Sequence, residues 1–393
     1  MLITEKPHFI IKNKFQKRSD LYQDILTSDI LTDVCKRITG ENDYTCTFDD
    51  VGYNKGRLAI LFHKGTVSYI SFSETESAGR NASIQSVPSA LISFYEESNP
   101  NKQIYFYFLP SSGNHQTNYF YFMYRLMVTA GINFLNHKDF LQQPLHSFNT
   151  VEDIIAARNI NRERNQSNNS SYVTKGNNHV IQIFGKTYGA NKYETTLFCI
   201  AFSQISTNKI ELYQICEKDL KAIPHRCAEV INALGNVKII QTDLTMERNY
   251  FEKEESFRSP RYIYNLLTRL GKKKCALCGC EIPELIQGAH IWPVASIKHE
   301  AGISLEQKIA YAIDGNNGLW LCENHHKMLD EDIISIDMKG NVKCSTDITS
   351  TNADFIDWST PIKKLTKHIM TDMFKIYLGK RYCFSESKQG NSR

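Results

Sequence analysis

The sequence lacks any apolar run long enough to cross a bilayer. A membrane-spanning helix needs about 20 mostly apolar residues, and no window of the 393 residues meets this requirement. The first residues, Met-Leu-Ile-Thr-Glu-Lys-Pro-His, also lack the apolar core of a secretory signal peptide. These two absences predict a soluble cytoplasmic protein that does not associate with membranes.

The sequence also lacks a disulfide framework. Its eleven cysteines are scattered along the chain except within one short stretch, whereas disulfide-rich secreted domains are short and carry many regularly spaced cysteines. This distribution predicts a reducing compartment.

There is no internal repeat, no G-x-x-x-x-G-K-[S/T] phosphate loop and little net charge. The missing loop argues against a P-loop nucleotide hydrolase. The formal net charge is only +4, so DNA binding is permitted only where basic residues cluster, as at 272–274 and 363–367. A hydrophobic content of 41% over this length is ordinary for a globular protein with two or three domains.

One short stretch holds cysteines and a histidine at the spacing of a metal site. Two residues separate Cys275 from Cys278, and two separate Cys322 from His325. Two such pairs can bring four ligands to one tetrahedral ion without an open position, as structural zinc requires. The spacing predicts a closed Zn²⁺ site. The alternatives are ordinary buried cysteines, or a site in which Cys280 replaces Cys278.

A second set of polar residues is interleaved with the first. His290 precedes Ile-Trp-Pro, and because proline disfavours helix at the preceding residue, His290 is predicted at the end of a strand. Asn317 lies in the turn-like sequence Asp-Gly-Asn-Asn-Gly. His326 and Asp330 are four residues apart in a predicted helix and share one face. Such a pair suits a divalent metal with open positions, and a separate imidazole can take a proton from water. An isolated histidine here would be interpreted as a core residue.

The combined pattern resembles the HNH, or ββα-metal, nuclease family in its zinc-bearing branch. His290 matches the first His, Asn317 the Asn and His326 the last His of the family motif. The resemblance implies that His290 is the general base and that Asn317 orients the motif or contributes to the metal shell. It also implies that His326 and Asp330 bind a catalytic Mg²⁺ or Mn²⁺. One position departs from the pattern, because many members have Asp or His directly before the base, where this chain has Ala289.

The resemblance predicts an α+β multidomain protein. In this interpretation an N-terminal α/β recognition region precedes a C-terminal ββα-metal HNH nuclease domain with a structural zinc. The predicted boundaries are 1–160 for an α+β region, 161–178 for a polar linker or mobile loop, 179–250 for a small α/β unit, and 251–393 for the nuclease domain with a C-terminal helix.

Apolar patterns predict the individual elements. The predicted strands are 58–62 and 67–72 as a hairpin, 103–109, 180–184, 209–215, 237–241, and 333–336 with 342–343 as a second hairpin. The predicted helices are 119–131, 225–234, 258–270 and 362–377, and 194–202 is predicted as a helix or another buried segment.

Three groups of residues outside the motif are of the types that contact DNA. The groups are Arg80, Asn81 and Gln85 in a small polar loop, Lys186 and Lys192 in a glycine-rich stretch before a helix, and Lys272, Lys273 and Lys274 beside the zinc motif. The helix predicted before these last lysines carries Arg258, Arg261 and Arg269, which are also expected to face DNA phosphates. The alternatives are a plain surface loop for the first, a structural turn for the second and a solvated basic face for the third.

We expect a sequence-specific endonuclease, similar to restriction enzymes, that cuts double-stranded DNA to leave 5′-phosphate and 3′-hydroxyl ends. The resemblance further implies a homodimer and a companion DNA methyltransferase. Recognition by the N-terminal region is expected by family analogy. Three alternatives are a nuclease dependent on methylated bases, a non-catalytic zinc-containing DNA-binding protein, and an RNA-acting or toxin nuclease.

Overall fold

The computed structural model describes most of the chain. The described residues are 6–14, 26–54, 58–73, 87–110, 118–165, 171–185, 191–215, 223, 225–252 and 259–389. No helix among them is long and apolar enough to span a membrane.

The chain folds into two units, and each contains more than one stretch of sequence. Unit 1 comprises Met1–Ser171, Gly185–Leu212 and Leu220–Ile239, and unit 2 comprises Tyr172–Phe184, Tyr213–Asp219 and Ile240–Arg393. This division differs from the boundaries expected from the sequence. Composition can reveal a polar stretch. It does not show that the segment Tyr172–Phe184 belongs to the same unit as the C-terminal part of the chain.

Unit 1 contains a six-stranded mixed sheet. Its strands are β1 (His8–Lys14), β2 (Thr45–Asn54), β3 (Leu58–His63), β4 (Thr66–Phe72), β5 (Lys102–Tyr107) and β6 (Asn133–Phe134). They are arranged in the order β2-β1-β3-β4-β5-β6. β3 and β4 form the predicted antiparallel hairpin, and β4 pairs in parallel with the predicted strand β5.

Helices of unit 1 bury the apolar side chains of this sheet and of one another. They are α1 (Ser28–Thr39), α2 (Val87–Glu96), α3 (Asn118–Thr129), α4 (His137–Phe140), α5 (Val151–Asn165), α6 (Asn191–Ile205) and α7 (His225–Ala233). The sequence Tyr-Phe-Tyr-Phe-Met in α3 predicts a core helix, and α3 is largely buried. The predictions of helices at α6 and α7 are also confirmed.

A second sheet lies in the middle of the sequence. Its strands are β7 (Tyr172–Lys175), β8 (Ile181–Gly185), β9 (Ile210–Ile215) and β10 (Val237–Thr242), in the order β10-β9-β8-β7. The predicted linker 161–178 contains the end of α5 and all of β7, and the side chains of Tyr172 and Val173 are buried. Only residues 166–170 of that stretch lie outside the described residues.

The C-terminal part of unit 2 is built around a two-stranded antiparallel sheet and a helix. In order it contains α8 (Leu244–Glu252), α9 (Pro260–Leu270), β11 (Ile286–His290), α10 (Val294–His299), α11 (Leu305–Ile313), β12 (Gly318–Cys322), α12 (Glu323–Asp330), β13 (Ile334–Ile336), β14 (Val342–Cys344), α13 (Ser350–Ser359) and α14 (Asp372–Gln389). β11 pairs antiparallel with β12, and α12 follows β12 directly. This is the predicted ββα arrangement. β12 reads Gly-Leu-Trp-Leu-Cys, and its three central side chains are buried.

The predicted helix at 362–377 is wrong in its position. Residues 362–371 are not helical. Instead Val342 N–H donates to the Lys363 carbonyl oxygen and Leu365 N–H donates to that of Gly340, so this segment packs along β14. The helix begins later because Thr371 Oγ1 accepts a hydrogen bond from Phe374 N–H and caps the first turn of α14. The helix α13 has no counterpart among the predicted elements.

Candidate active site and metal-binding cluster

Four side chains from two separate turns converge beside the two-stranded sheet of β11 and β12. The ligand atoms of Cys275, Cys278, Cys322 and His325 all lie within 4.8 Å of one another. Cys278 Sγ is 3.8 Å from Cys322 Sγ, and Cys275 Sγ is 3.6 Å from His325 Nδ1. A tetrahedral Zn²⁺ at about 2.3 Å from sulfur and about 2.0–2.1 Å from nitrogen sets these separations near 3.8 Å and 3.5 Å. The cluster therefore fits one tetrahedral ion, as the two spacings predict.

Backbone and side-chain contacts hold the cluster in place. The first cysteine pair lies in a tight turn in which Cys275 N–H donates to the Cys280 carbonyl oxygen over 2.8 Å. The second pair lies where β12 passes into α12, with Cys322 at the N-cap. His325 Nε2 is 3.0 Å from Thr360 Oγ1. Such a bond on the far ring nitrogen orients a metal-ligating imidazole, so Thr360 supports the cluster from outside both turns.

The sulfur atoms of the cluster compete for protons. Hydrogen bonding from Cys322, with a further contribution from His325, lowers the pKa of Cys275 to about 3 despite burial. The same contact with the Cys275 thiolate raises the pKa of Cys322. Three thiols this close resist simultaneous ionisation unless a cation balances them. Cys280 is not among the four clustered residues.

His290 is the last residue of β11, as the sequence predicts. Its Nε2 lies 2.8 Å from the carbonyl oxygen of Ala312 at the end of α11. Because a carbonyl oxygen only accepts hydrogen bonds, Nε2 carries the ring proton and the basic lone pair is on Nδ1. Burial, with a smaller contribution from nearby His326, lowers the pKa of His290 to about 4, although the hydrogen bond to Ala312 opposes this shift. The ring is therefore neutral at pH 7, as a general base requires.

A tyrosine from α9 lies against the His290 ring. The rings of Tyr262 and His290 are stacked, with centroids 3.9 Å apart and planes 13° apart. The Tyr262 hydroxyl donates to the Ala289 carbonyl oxygen over 3.1 Å. A Cβ atom on Gly318 would lie 2.1 Å from this hydroxyl oxygen, and one on Gly288 would lie 2.6 Å from Leu266 Cδ1. Glycine at these two strand positions therefore lets α9 approach the two-stranded sheet of β11 and β12 closely.

The Asn317 side chain binds backbone atoms after β11. It is fully buried, and its Oδ1 accepts from Trp292 N–H over 2.7 Å. Its Nδ2 lies 3.1 Å from the Trp292 carbonyl oxygen and 3.2 Å from that of Tyr311. In this structure Asn317 holds the segment directly after His290. Of the two roles that the resemblance implies for it, these contacts match orientation of the motif.

His326 and Asp330 lie on one face of α12, as predicted. His326 Nε2 is 3.3 Å from Asp330 Oδ2. Two adjacent ligands of an octahedral ion at about 2.0–2.2 Å lie roughly 3 Å apart, so the two atoms can share a divalent cation. Asp330 is half exposed, which leaves space for water and phosphate.

Comparison with protein families supports this interpretation of the site. The family model for HNH endonucleases matches residues 275–337. This segment is an HNH endonuclease domain. A search of curated proteins found no match to the chain. The matched segment contains both constellations, and a domain of this family supports nuclease activity on DNA with divalent metals.

Residues outside the HNH segment hold it together. The buried Arg381 of α14 donates from Nη1 to the Ile291 carbonyl oxygen over 3.3 Å and from Nη2 to that of Leu329. Arg381 thereby links the end of β11 to the end of α12. Tyr262, Thr360 and Arg381 could not be predicted from the sequence, because their function depends on long-range contacts that no local spacing shows.

The basic residues near the motif are already paired. Lys272 and Lys274 Nζ lie 2.7 Å and 2.9 Å from the Glu281 carboxylate, and Lys273 Nζ donates to the Lys175 carbonyl oxygen over 3.0 Å. The expectation that Arg269 faces DNA phosphates is wrong, because its guanidinium donates to the backbone carbonyls of Gly315, Gly318 and Ile369.

The remaining predicted DNA contacts fall where the structure gives no side-chain position. Arg80, Asn81, Gln85 and Lys186 lie outside the described residues, as does Arg258. Lys192 is in α6, but its side chain is also outside the described part.

Proposed function

We propose that this protein is a sequence-specific, restriction-type DNA endonuclease whose HNH domain hydrolyses phosphodiester bonds with one divalent metal. The supporting observation is a neutral imidazole, His290, whose lone pair on Nδ1 is set by the Ala312 carbonyl oxygen, on the same ββα unit as the His326–Asp330 pair. Water attack on a phosphodiester requires a base and a cation, and these two elements supply the base and a place for the cation.

In the proposed mechanism, His290 Nδ1 takes a proton from water as the water oxygen attacks phosphorus. The P–O3′ bond breaks and the departing O3′ takes a proton from solvent, so the products carry a 5′-phosphate and a 3′-hydroxyl. Asn317 holds the segment after His290 in place, and Tyr262 supports the ring from behind. A Mg²⁺ or Mn²⁺ on His326 and Asp330 would neutralise the scissile phosphate and stabilise the departing oxygen.

We assign the Cys/His cluster to a structural Zn²⁺. All four positions of a tetrahedron are filled by protein atoms, and the cluster is largely buried. A closed site of this kind stabilises the fold and has no position for substrate.

DNA recognition is proposed for residues that precede the HNH segment. Most side chains of β11, β12 and α12 are engaged in the core or in the site, and few remain to read bases. Cutting both strands of a duplex in one binding event takes two catalytic constellations. The residues that the structure describes contain one, so we propose a homodimer. As a restriction-type enzyme it would act beside a companion DNA methyltransferase.

The deciding experiment is digestion of plasmid DNA by the full-length protein with Mg²⁺, Mn²⁺ or EDTA. We expect metal-dependent linear fragments that DNA ligase rejoins without end repair, because they carry 5′-phosphate and 3′-hydroxyl groups. Parallel digestion of methylated and unmethylated DNA separates a restriction enzyme from a nuclease that depends on methylated bases. Absence of metal-dependent cleavage on every DNA tested would contradict the proposal.

Recognition is best tested with the full-length His290→Ala protein in a binding selection with random duplexes. A fragment ending near Tyr250 is unsuitable, because Tyr172, Phe184 and Ile215 belong to the same core as the HNH segment. We expect enrichment of one short sequence. If that sequence is found, Arg80→Ala and Gln85→Ala should relax the preference. Lys186→Ala and Lys192→Ala should weaken binding to all sequences alike. A folded protein that enriches no sequence would contradict sequence-specific recognition.

A further inference from the structure

Gln287 is a residue of β11, and its side chain reaches α12 at the place where the family pattern is incomplete. Residues two apart on a strand project to the same face, so Gln287 and Ala289 share one face of β11. Ala289 is buried and has no ligand atom. The half-buried Gln287 extends its amide to α12, with Nε2 3.0 Å from Glu323 Oε1 and Oε1 3.3 Å from His326 Nδ1.

Glu323 determines which way this amide faces. An ionised carboxylate only accepts hydrogen bonds, so the amide nitrogen must point to Glu323 and the amide oxygen to His326. The His326 atom facing that oxygen must then be a donor, which places the ring proton on Nδ1. In the metal-loaded protein Nε2, which is 3.3 Å from Asp330 Oδ2, then presents its lone pair to the cation. Without the cation, the Asp330 carboxylate only accepts hydrogen bonds and favours a proton on Nε2 as well.

The same geometry excludes Gln287 as a direct ligand of a cation held by His326 and Asp330. The Gln287 oxygen and Asp330 contact different nitrogens of one imidazole ring. An ion bound between Nε2 and Asp330 therefore lies on the side of the ring away from Gln287.

We propose that Gln287 is a positioning residue for the catalytic metal: it fixes the tautomer and the direction of His326, and Glu323 orients Gln287. This inference rests on the proposed function, in which His326 and Asp330 hold the cation. It gives Gln287 a role that compensates for Ala289. With no ligand from Ala289, retention of the ion depends more on the orientation of the remaining imidazole. Bonds of this kind to a ligating histidine contribute about 10- to 100-fold in metal affinity.

The test measures Mn²⁺ binding to the full-length, zinc-loaded protein by electron paramagnetic resonance of free Mn²⁺. We expect Gln287→Leu to raise the Kd for Mn²⁺ by about 10- to 100-fold while zinc content and Tm stay near wild type. Cleavage by this variant should recover at high Mn²⁺. The matched control is Gln307→Leu, which removes the glutamine side chain that caps α11 and should leave the Kd within about twofold. Glu323→Gln, which lets the Gln287 amide turn over, should fall between the two.

Three outcomes separate this inference from the proposed function. If His326→Ala leaves the Kd unchanged, the metal site itself is wrong, and the role of Gln287 fails with it. If His326→Ala weakens binding but Gln287→Leu does not, the positioning role alone is wrong. Nitrogen NMR of the His326 ring in the wild-type protein saturated with Mg²⁺ gives a result that does not depend on any variant. We expect the proton on Nδ1, and a proton on Nε2 would overturn the inference.

Discussion

The two metal sites assigned to the HNH domain differ in how completely the protein surrounds the ion. The Cys/His cluster offers four ligand atoms from two turns, and no position is left for water. The His326–Asp330 pair offers two atoms from one helix face, and Asp330 is half exposed. A four-ligand site adds its binding energy to the fold, whereas a two-ligand site leaves positions for substrate and binds weakly. The two sites should therefore respond oppositely to mutation.

Replacement of a cluster ligand should have the largest effect of all. Cys275→Ser is expected to lose zinc and stability together, because structural zinc contributes about 10–16 kcal/mol in small domains and total stability is about 5–15 kcal/mol. Zinc content and thermal unfolding measure this. The control is Cys344→Ser, an exposed cysteine outside the cluster, which should keep both. A stable, active and zinc-free Cys275→Ser protein would refute the four-ligand assignment.

Replacement of the base should abolish cleavage without unfolding the domain. His290→Ala is expected to reduce kcat by about 10²- to 10⁴-fold, the usual contribution of a general base. Zinc content, DNA binding and Mn²⁺ binding should remain close to wild type. Single-turnover cleavage at saturating metal tests this, with the exposed His299 of α10 changed to Ala as control. Near-normal cleavage by His290→Ala would show that another group removes the proton.

The ring beneath His290 should contribute a smaller amount to catalysis. Tyr262→Leu removes the stacked surface and is expected to lower kcat by about 10-fold, since aromatic pairs contribute about 0.5–1.5 kcal/mol beyond burial. Tyr262→Phe keeps the ring, loses one hydrogen bond of about 1 kcal/mol in stability, and should retain kcat within about threefold. Tyr264→Leu is a suitable control, because this buried neighbour in α9 instead makes an edge-to-face contact with Tyr172. Equal kcat losses in the two leucine variants would mean that Tyr262 acts only through the fold.

The lysines beside the cluster should have the smallest effect. Lys272 and Lys274 are paired with Glu281, whose pKa these two ammonium groups lower to about 2. If they contact DNA, the double alanine variant should reduce the slope of log affinity against log salt by up to about 2, since each phosphate contact contributes about 0.9. Lys343→Ala, which removes a lysine paired with Asp337, should leave the slope unchanged. An unchanged slope in the double variant would assign both lysines to the ion-pair cluster alone.

Much of the HNH unit could be predicted from the sequence because its chemistry is local. The x2 spacings define two turns, and the interval between His326 and Asp330 is one helical turn, so the sequence determines which side chains point together within each element. His290 could be placed at a strand end because Pro293 restricts the residue before it. Apolar patterns also predicted the hairpin β3–β4 and the helices α3, α6, α7 and α9. They gave no prediction for β1, β2 or α5.

Only the tertiary structure decided how these pieces act on one another. The position of the basic lone pair of His290 depends on a carbonyl of Ala312, and the direction of His326 depends on Gln287 from a different strand. Arg269 is of a residue type that often contacts DNA, yet its guanidinium binds backbone carbonyls inside the fold. In the first half of the helix expected at 362–377, the chain instead pairs with β14. Hydrogen bonds between residues distant in sequence have no periodic signature, so a single sequence determines the chemical groups of this site but not their protonation or direction.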